Sequence, residues 1–358
     1  MRSLLFVVAS FVVTILCWGL YGPVLHTGQE LMFDNGGDET LHGLARWRPF
    51  VCVGLAYFVI GVVVPLILLK TVGEKGQWTA SGAIWSLAAG AFGALGALGI
   101  ILAFKYGGKP IYVMPLVFGG APVVNSFLTI YWARKMSEIS TLFTTGLVMV
   151  LLGAVTVLVF APTAQSADAS SLFSFNGVLQ ILSIALVIVC WGAYGPVLHK
   201  GQARMDNSRL RPLLCVGLAY FAIAVIVPNL ILPITGEASS YWQHAGLGSL
   251  WSLGAGAAGA FGALGIIMAF NFGGKPVFVM PLVFGGAPVV NTLYSGWASG
   301  KFAEPGAISP VFIAGIILAA AGAAMVLVFA PKGKPPVAAS STPPKTVPDT
   351  TAGKTSAL

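Results

Sequence analysis

One apolar stretch occurs twice in this chain. Tyr106–Asn125 reads YGGKPIYVMPLVFGGAPVVN and Phe272–Asn291 reads FGGKPVFVMPLVFGGAPVVN, identical at 17 of 20 positions with an offset of 166. The duplication extends along the whole chain. Trp18 pairs with Trp191 (offset 173), Cys52 with Cys215 (offset 163) and Trp85 with Trp251 (offset 166). VLVFAP recurs at 157–162 and 326–331. The fold must therefore accommodate two copies of one unit. The drop in offset from 173 to 163 marks an insertion in the first copy, within 26–48, a stretch that holds Glu30, Asp34, Asp38 and Glu39.

The unit is built for lipid. Charged residues make up 8% of the chain and mean hydropathy is +0.88, against about 25% charged in a soluble domain. A bilayer core needs about 20 apolar residues per helix. Ten such segments occur, near 4–25, 49–70, 82–104, 109–132, 140–161, 176–198, 212–233, 247–270, 275–297 and 308–330. The opening MRSLLFVVASFVVTILCWG has the look of a secretory leader. Its equivalent VIVCWGAYGPVLHKGQ lies mid-chain, so the first segment reads as a retained spanning helix. Five segments per copy is an odd number. The second copy then enters the membrane from the opposite side, giving an all-α integral membrane protein of two inverted five-helix repeats, an arrangement common among secondary transporters.

With the N-terminus inside, 14 Lys and Arg face the cytoplasm and 5 face outward. The positive-inside rule favours that orientation, with both termini cytoplasmic in a multi-pass cell (inner) membrane protein. The domain reading is a first repeat at 1–161, a linker at 162–175, a second repeat at 176–331 and a disordered Pro/Ser/Thr/Lys-rich tail at 332–358. The net charge of +8 is spread over short loops and the tail. With no basic stripe it does not indicate a nucleic-acid partner. The four cysteines fall at matching places in apolar segments, where thiols act as small packing residues. No Cys/His spacing suggests a metal or cofactor.

Segments 3 and 8 carry glycines every third residue, Gly90, Gly93, Gly96, Gly99 and Gly256, Gly259, Gly262, Gly265. Such smooth faces serve close helix packing, and are also compatible with sliding. Segments 4 and 9 hold the opening stretch. Pro115, Gly119, Gly120 and Pro122, with Pro281, Gly285, Gly286 and Pro288, are expected to interrupt these helices and act as hinges. Interrupted helices at matching places of two halves point to a transport site. Asn125 and Asn291 lie one turn on, where each would either bind a polar ligand or hold neighbouring helices together. Segments 1 and 6 share Trp-Gly-x-Tyr-Gly-Pro. Trp18, Tyr21, Trp191 and Tyr194, with Trp85 and Trp251, are candidate substrate contacts, because these rings combine a flat apolar face with one polar handle. The alternative for them is an interfacial aromatic belt. His26, Lys109, His199 and Lys275 stand at segment ends as candidate gates; the alternatives are solvated ends and snorkelling. No Asp or Glu lies within a span, which weakens proton coupling through a carboxylate. The coupling ion, if any, is unknown.

The run IILAFKYGGKPIYVMPLVFGGAPVV, followed by WARKMSEISTLFTTGLVMVLLGAVTVLV, resembles the helix 3–5 region of the drug/metabolite transporter superfamily (EamA-like). The second copy follows in the same order and ends SGKFAEPGAISPVFIAGIILAAAGAAMVLV. WGLYGPVLHTGQ, with Asp34-Asn35 beyond it, is loosely similar to the first helix of the glucose/ribose and rhamnose porters; Asp206-Asn207 repeats the pair. One departure is Arg134-Lys135, near where the superfamily often has a Glu. The resemblance implies ten helices and alternating access around a central cavity. The expected function is secondary transport of a small polar metabolite, sugar-like first, with efflux of amino acids or drugs as the alternative. A membrane enzyme or a scaffold ranks lower, because the paired carboxylates and His clusters of catalysis are missing. The expected partners are the lipid bilayer and the solute, with a homodimer left open.

Overall fold

The computed structural model describes residues 2–33, 44–132, 134–160, 174–235, 246–272, 276–301, 306 and 308–331. Among them the chain is helical, with no strand. The first copy forms α1 (Arg2–Phe33), α2 (Leu44–Phe58), α3 (Val64–Thr71), α4 (Ala80–Lys105), α5 (Pro110–Trp132) and α6 (Thr141–Val159). The second forms α7 (Phe175–Ala203), α8 (Leu210–Phe221), α9 (Val227–Thr235), α10 (Leu247–Asn271), α11 (Pro276–Ala298) and α12 (Pro310–Phe329). Eight of the helical stretches are long and apolar enough to cross a membrane. This is a multi-pass, all-α membrane architecture. Large apolar side chains such as Leu151, Leu152, Val155 and Ile317 are exposed on the helix faces, as a lipid-facing surface requires.

Helix starts follow local chemistry. Thr79 accepts from the Gly82 amide at 3.0 Å, Ser140 from Phe143 at 3.2 Å and Ser174 from Gly177 at 3.1 Å. Each satisfies an amide that the helix itself leaves orphaned. Ser309 caps α12, with Pro310 placed where its missing N–H costs nothing.

The copies interlock rather than lie side by side, and one apolar core draws residues from both. The α1 helix runs against α10, with Thr14 beside Gly265, Trp18 beside Gly262 and Gly28 beside Gly248 and Ser252. The α7 helix runs against α4 in the same way, with Val187 beside Gly99, Trp191 beside Gly96 and Gly201 beside Ser86 and Gly82. Both pairs are antiparallel. Equivalent helices of the two copies also cross antiparallel. Gly54 meets Ala224 while Gly61 meets Gly217 (α2 with α8), and Gly146 meets Met325 while Gly153 meets Ala319 (α6 with α12). For α5 and α11, Asn291 reaches Pro110, and Phe118 lies 6.3 Å from Phe284.

Two features depart from the sequence reading. The expected hinge helices are not interrupted: α5 runs unbroken through Pro115, Gly119, Gly120 and Pro122, and α11 through Pro281, Gly285, Gly286 and Pro288. The irregularity lies instead in the second helix of each copy. π-Turns at Val59–Val63 and Ala222–Ile226 join α2 to α3 and α8 to α9. Pro65 and Pro228 follow them at matching places. A proline there lacks the amide that would extend the α ladder, and a widened turn absorbs the defect. The linker stretch 161–173, most of the acidic stretch (34–43) and the tail 332–358 lie outside the described residues.

Candidate functional site

The middle of the molecule is an aromatic centre built from matched pairs. At Gly96 and Gly262 the absence of a side chain makes the site: a methyl at either would collide with the indole of Trp191 or Trp18, respectively. Each indole is thus seated in the glycine ladder of the other copy. Trp18 Nε1 donates to the Gly259 carbonyl at 3.2 Å, and Trp191 Nε1 donates to the Gly93 carbonyl at 3.3 Å. The indole donors are therefore already used, and only the ring faces remain for a ligand. The Tyr21 ring meets Trp191 edge-on at 5.9 Å; Phe118 lies 6.5 Å from Trp191, and Trp18 lies 6.3 Å from Phe284. Tyr57 and Tyr220, equivalent residues of the second helix pair, stack at 3.8 Å. Tyr194 packs on the same core, partly buried.

This centre has one unsatisfied polar atom of note. The Tyr21 ring is only 4% exposed and its hydroxyl is buried with no hydrogen-bond partner. Leaving a buried hydroxyl unpaired costs about 1–3 kcal/mol, so a partner arriving from outside would recover that deficit. The site can offer ring faces and a hydroxyl, and the side chains named here carry no formal charge.

The other sequence candidates divide between buried helix contacts and the surface. Asn291 is fully buried and donates from Nδ2 to the Pro110 carbonyl at 2.8 Å, while its Oδ1 has no partner. It therefore ties α11 to the start of α5. Asn125 points to α7, with its Nδ2 beside Gly195. Trp85 is drawn away from the centre into a group with Trp132 at 5.9 Å, with the Lys200 ammonium 3.2 Å above the Trp132 ring. Trp251 is 37% exposed on the surface of α10. Gly120 and Gly286 pack against Ile188 and Ile15, respectively, whereas Gly285 meets nothing within 4 Å.

Two of the four gate candidates come together. Lys109 Nζ lies 3.1 Å from Glu30 Oε1 and 3.5 Å from His26 Nε2, and Glu30 Oε2 lies 3.3 Å from His26 Nδ1. With Gln29 and Phe104 they line a cavity of about 200 Å³. Gln29 holds the wall in place, donating to the Ile101 carbonyl at 3.2 Å. Acid, base and imidazole compensate one another here, so the mouth is polar without a strong net sign. His199, the equivalent of His26, is exposed, and Lys275 lies outside the described residues. Asp206 and Asn207, matched in the sequence to Asp34-Asn35, both adopt positive φ (51° and 56°) in the turn after α7. Asn and Asp tolerate that conformation, which accounts for them as turn residues.

Sequence reasoning missed Tyr57, Tyr220, Phe118 and Phe284. Their signal was available, since each pair recurs at the repeat offset. Among the described residues no group of three His, Cys, Asp or Glu converges to hold a metal. No protein-family model matches the chain, and no curated protein matches it.

Proposed function

We propose that the chain is a secondary transporter that carries a small, uncharged polar solute, sugar-like first, between two inverted five-helix halves. The observation that carries this is the buried aromatic centre, contributed pairwise by both copies, with the Tyr21 hydroxyl unpartnered inside it. Rings with a free hydroxyl suit the apolar faces and polar edges of a sugar-like molecule.

Ten spans in inverted copies are the reading that agrees with the packing. The α2/α3 and α8/α9 stretches each act as one span through their π-turns. If the halves are inverted, equivalent helices must cross antiparallel, and α2/α8, α5/α11 and α6/α12 do so. Both termini are then cytoplasmic, the His26–Glu30–Lys109 mouth faces outward, and the loops joining α3 to α4 and α7 to α8 face inward. The repeat boundaries 1–161 and 176–331 and the drug/metabolite transporter resemblance belong to the same proposal. So does the reading of the chain as a carrier rather than an enzyme.

The test is a thermal-shift screen of purified protein with sugars, amino acids and nucleosides, because a ligand that binds only the folded state raises its stability. A neutral solute is expected to raise Tm in the wild type and to lose that effect in Tyr21→Phe. A stabilising solute that acts equally on both proteins would remove Tyr21 from the site.

A further inference from the structure

The end of the molecule opposite the His26 mouth is held by one carboxylate. Glu74 lies in the loop between α3 and α4 of the first copy. Its carboxylate accepts three hydrogen bonds from the loop between α7 and α8 of the second copy. Ser208 Oγ donates to Oε2 at 2.6 Å, the Arg209 amide to Oε1 at 2.8 Å and the Leu210 amide to Oε2 at 3.1 Å. Arg211 Nη1 stands 3.7 Å from Oε2 and donates to Ser208 Oγ at 3.2 Å and to the Glu74 carbonyl at 3.5 Å. A few residues away, Thr79 Oγ1 donates to the Arg204 carbonyl at 2.9 Å. Both members of the ion pair are largely buried, with side chains 17% and 13% exposed.

The helix that Glu74 meets has one local cap, Ser208 Oγ, which accepts from the Arg211 amide at 3.3 Å. Arg209 occupies the N-cap of α8 and makes no side-chain capping bond. A cation beside the positive end of a helix is also unfavourable. The Ser208 hydroxyl reaches the Arg211 amide, and the two amides before it, Arg209 and Leu210, are satisfied by an acid from the other copy. The acid and the base are properties of the repeat unit, since Glu237 stands 163 positions after Glu74 and Arg211 stands 163 positions after Arg48.

We infer that Glu74 is the clasp of an inner gate, holding the two halves closed at the cytoplasmic end in the conformer seen here. The clasp rests on the transporter reading. Breaking it releases the inner ends of α4, α7 and α8, and the halves rock to close the His26 mouth.

The experiment is hydrogen exchange by mass spectrometry on the full chain in nanodiscs, comparing wild type with Glu74→Gln and Ser208→Ala. In Glu74→Gln, exchange at 72–84 and 204–214 is expected to rise about tenfold or more, the scale of a lost charged hydrogen bond. Protection is expected to increase at 26–31 and 104–113, at the far end of the molecule. Faster exchange confined to 72–84 and 204–214, with the far end unchanged, would reduce Glu74 to a local helix cap and overturn the clasp. Should Glu74→Gln fail to fold, Ser208→Ala removes one of the three bonds to the carboxylate, together with the Ser208 bonds to Arg211, and must give the same two-ended pattern. Exchange needs no solute, so failure of the transporter reading shows separately, as a solute panel without flux.

Discussion

Replacing Gly96 or Gly262 with alanine tests whether the copies interlock through their tryptophans. An added methyl at Gly96 meets Nε1 and Cδ1 of Trp191, and at Gly262 it meets Cδ1 and Nε1 of Trp18. The indoles cannot simply retreat, because each donates to a carbonyl of the facing ladder, at 3.3 Å and 3.2 Å, and packs on neighbouring rings. Overpacking of this kind costs about 1–3 kcal/mol. Losing the indole hydrogen bond adds about 0.5–1.5 kcal/mol. Alanine returns about 1 kcal/mol of helix propensity, leaving a net loss of about 0.5–3.5 kcal/mol. Gly285→Ala is the control, since its methyl meets nothing within 4 Å. The assay is thermal unfolding in detergent, followed by tryptophan fluorescence and circular dichroism. Gly285→Ala should be at least as stable as wild type, with Gly96→Ala and Gly262→Ala several degrees lower. Trp191→Ala, which removes the ring that the new methyl meets, should cost less in the Gly96→Ala background than alone. Equal stability of all three glycine variants, or additive behaviour of the pair, would refute the seating of Trp191 in the Gly96 socket.

Three further outcomes follow from the same geometry. Asn291→Leu should lower stability by about 0.5–1.5 kcal/mol, because it removes the hydrogen bond that ties α11 to the Pro110 carbonyl, while Asn125→Leu should cost less; the double variant is expected to abolish flux in proteoliposomes. Lys109→Met should change stability by no more than about 1 kcal/mol, since Lys109 and Glu30 are both well exposed, and should alter the salt dependence of transport instead. For topology, Lys75→Cys should react with an impermeant maleimide only in inside-out vesicles, and Lys301→Cys only in intact cells. Labelling of both from one side would break the inverted arrangement.

Much of this architecture was legible in the residues, for identifiable reasons. The repeat offsets place equivalent helices, and the glycine spacing marks a contact face, because both are periodic along the chain. The partner of that face was not legible, since Trp191 lies 95 positions from Gly96 and Trp18 lies 244 from Gly262. Proline was read as a helix breaker in α5 and α11. It is tolerated there because the helices are packed on several sides, whereas the ladder widens before Pro65 and Pro228. Trp85 and Trp251 shared the pattern of the central aromatics but sit near helix starts, whereas Trp18 and Trp191 lie mid-helix, where they reach the glycine ladders. Glu74 drew no attention, because its partners lie in a loop of the other copy and only the folded chain brings them together.

Flux through the aromatic centre is the central claim, and solute movement in proteoliposomes measures it directly. Wild-type protein, tested against a panel of sugars, amino acids and nucleosides, should move at least one neutral polar solute. Tyr21→Phe should lose most of that flux while unfolding at the wild-type temperature. A panel with no flux in wild type, or a transported solute that is indifferent to Tyr21, would contradict the account.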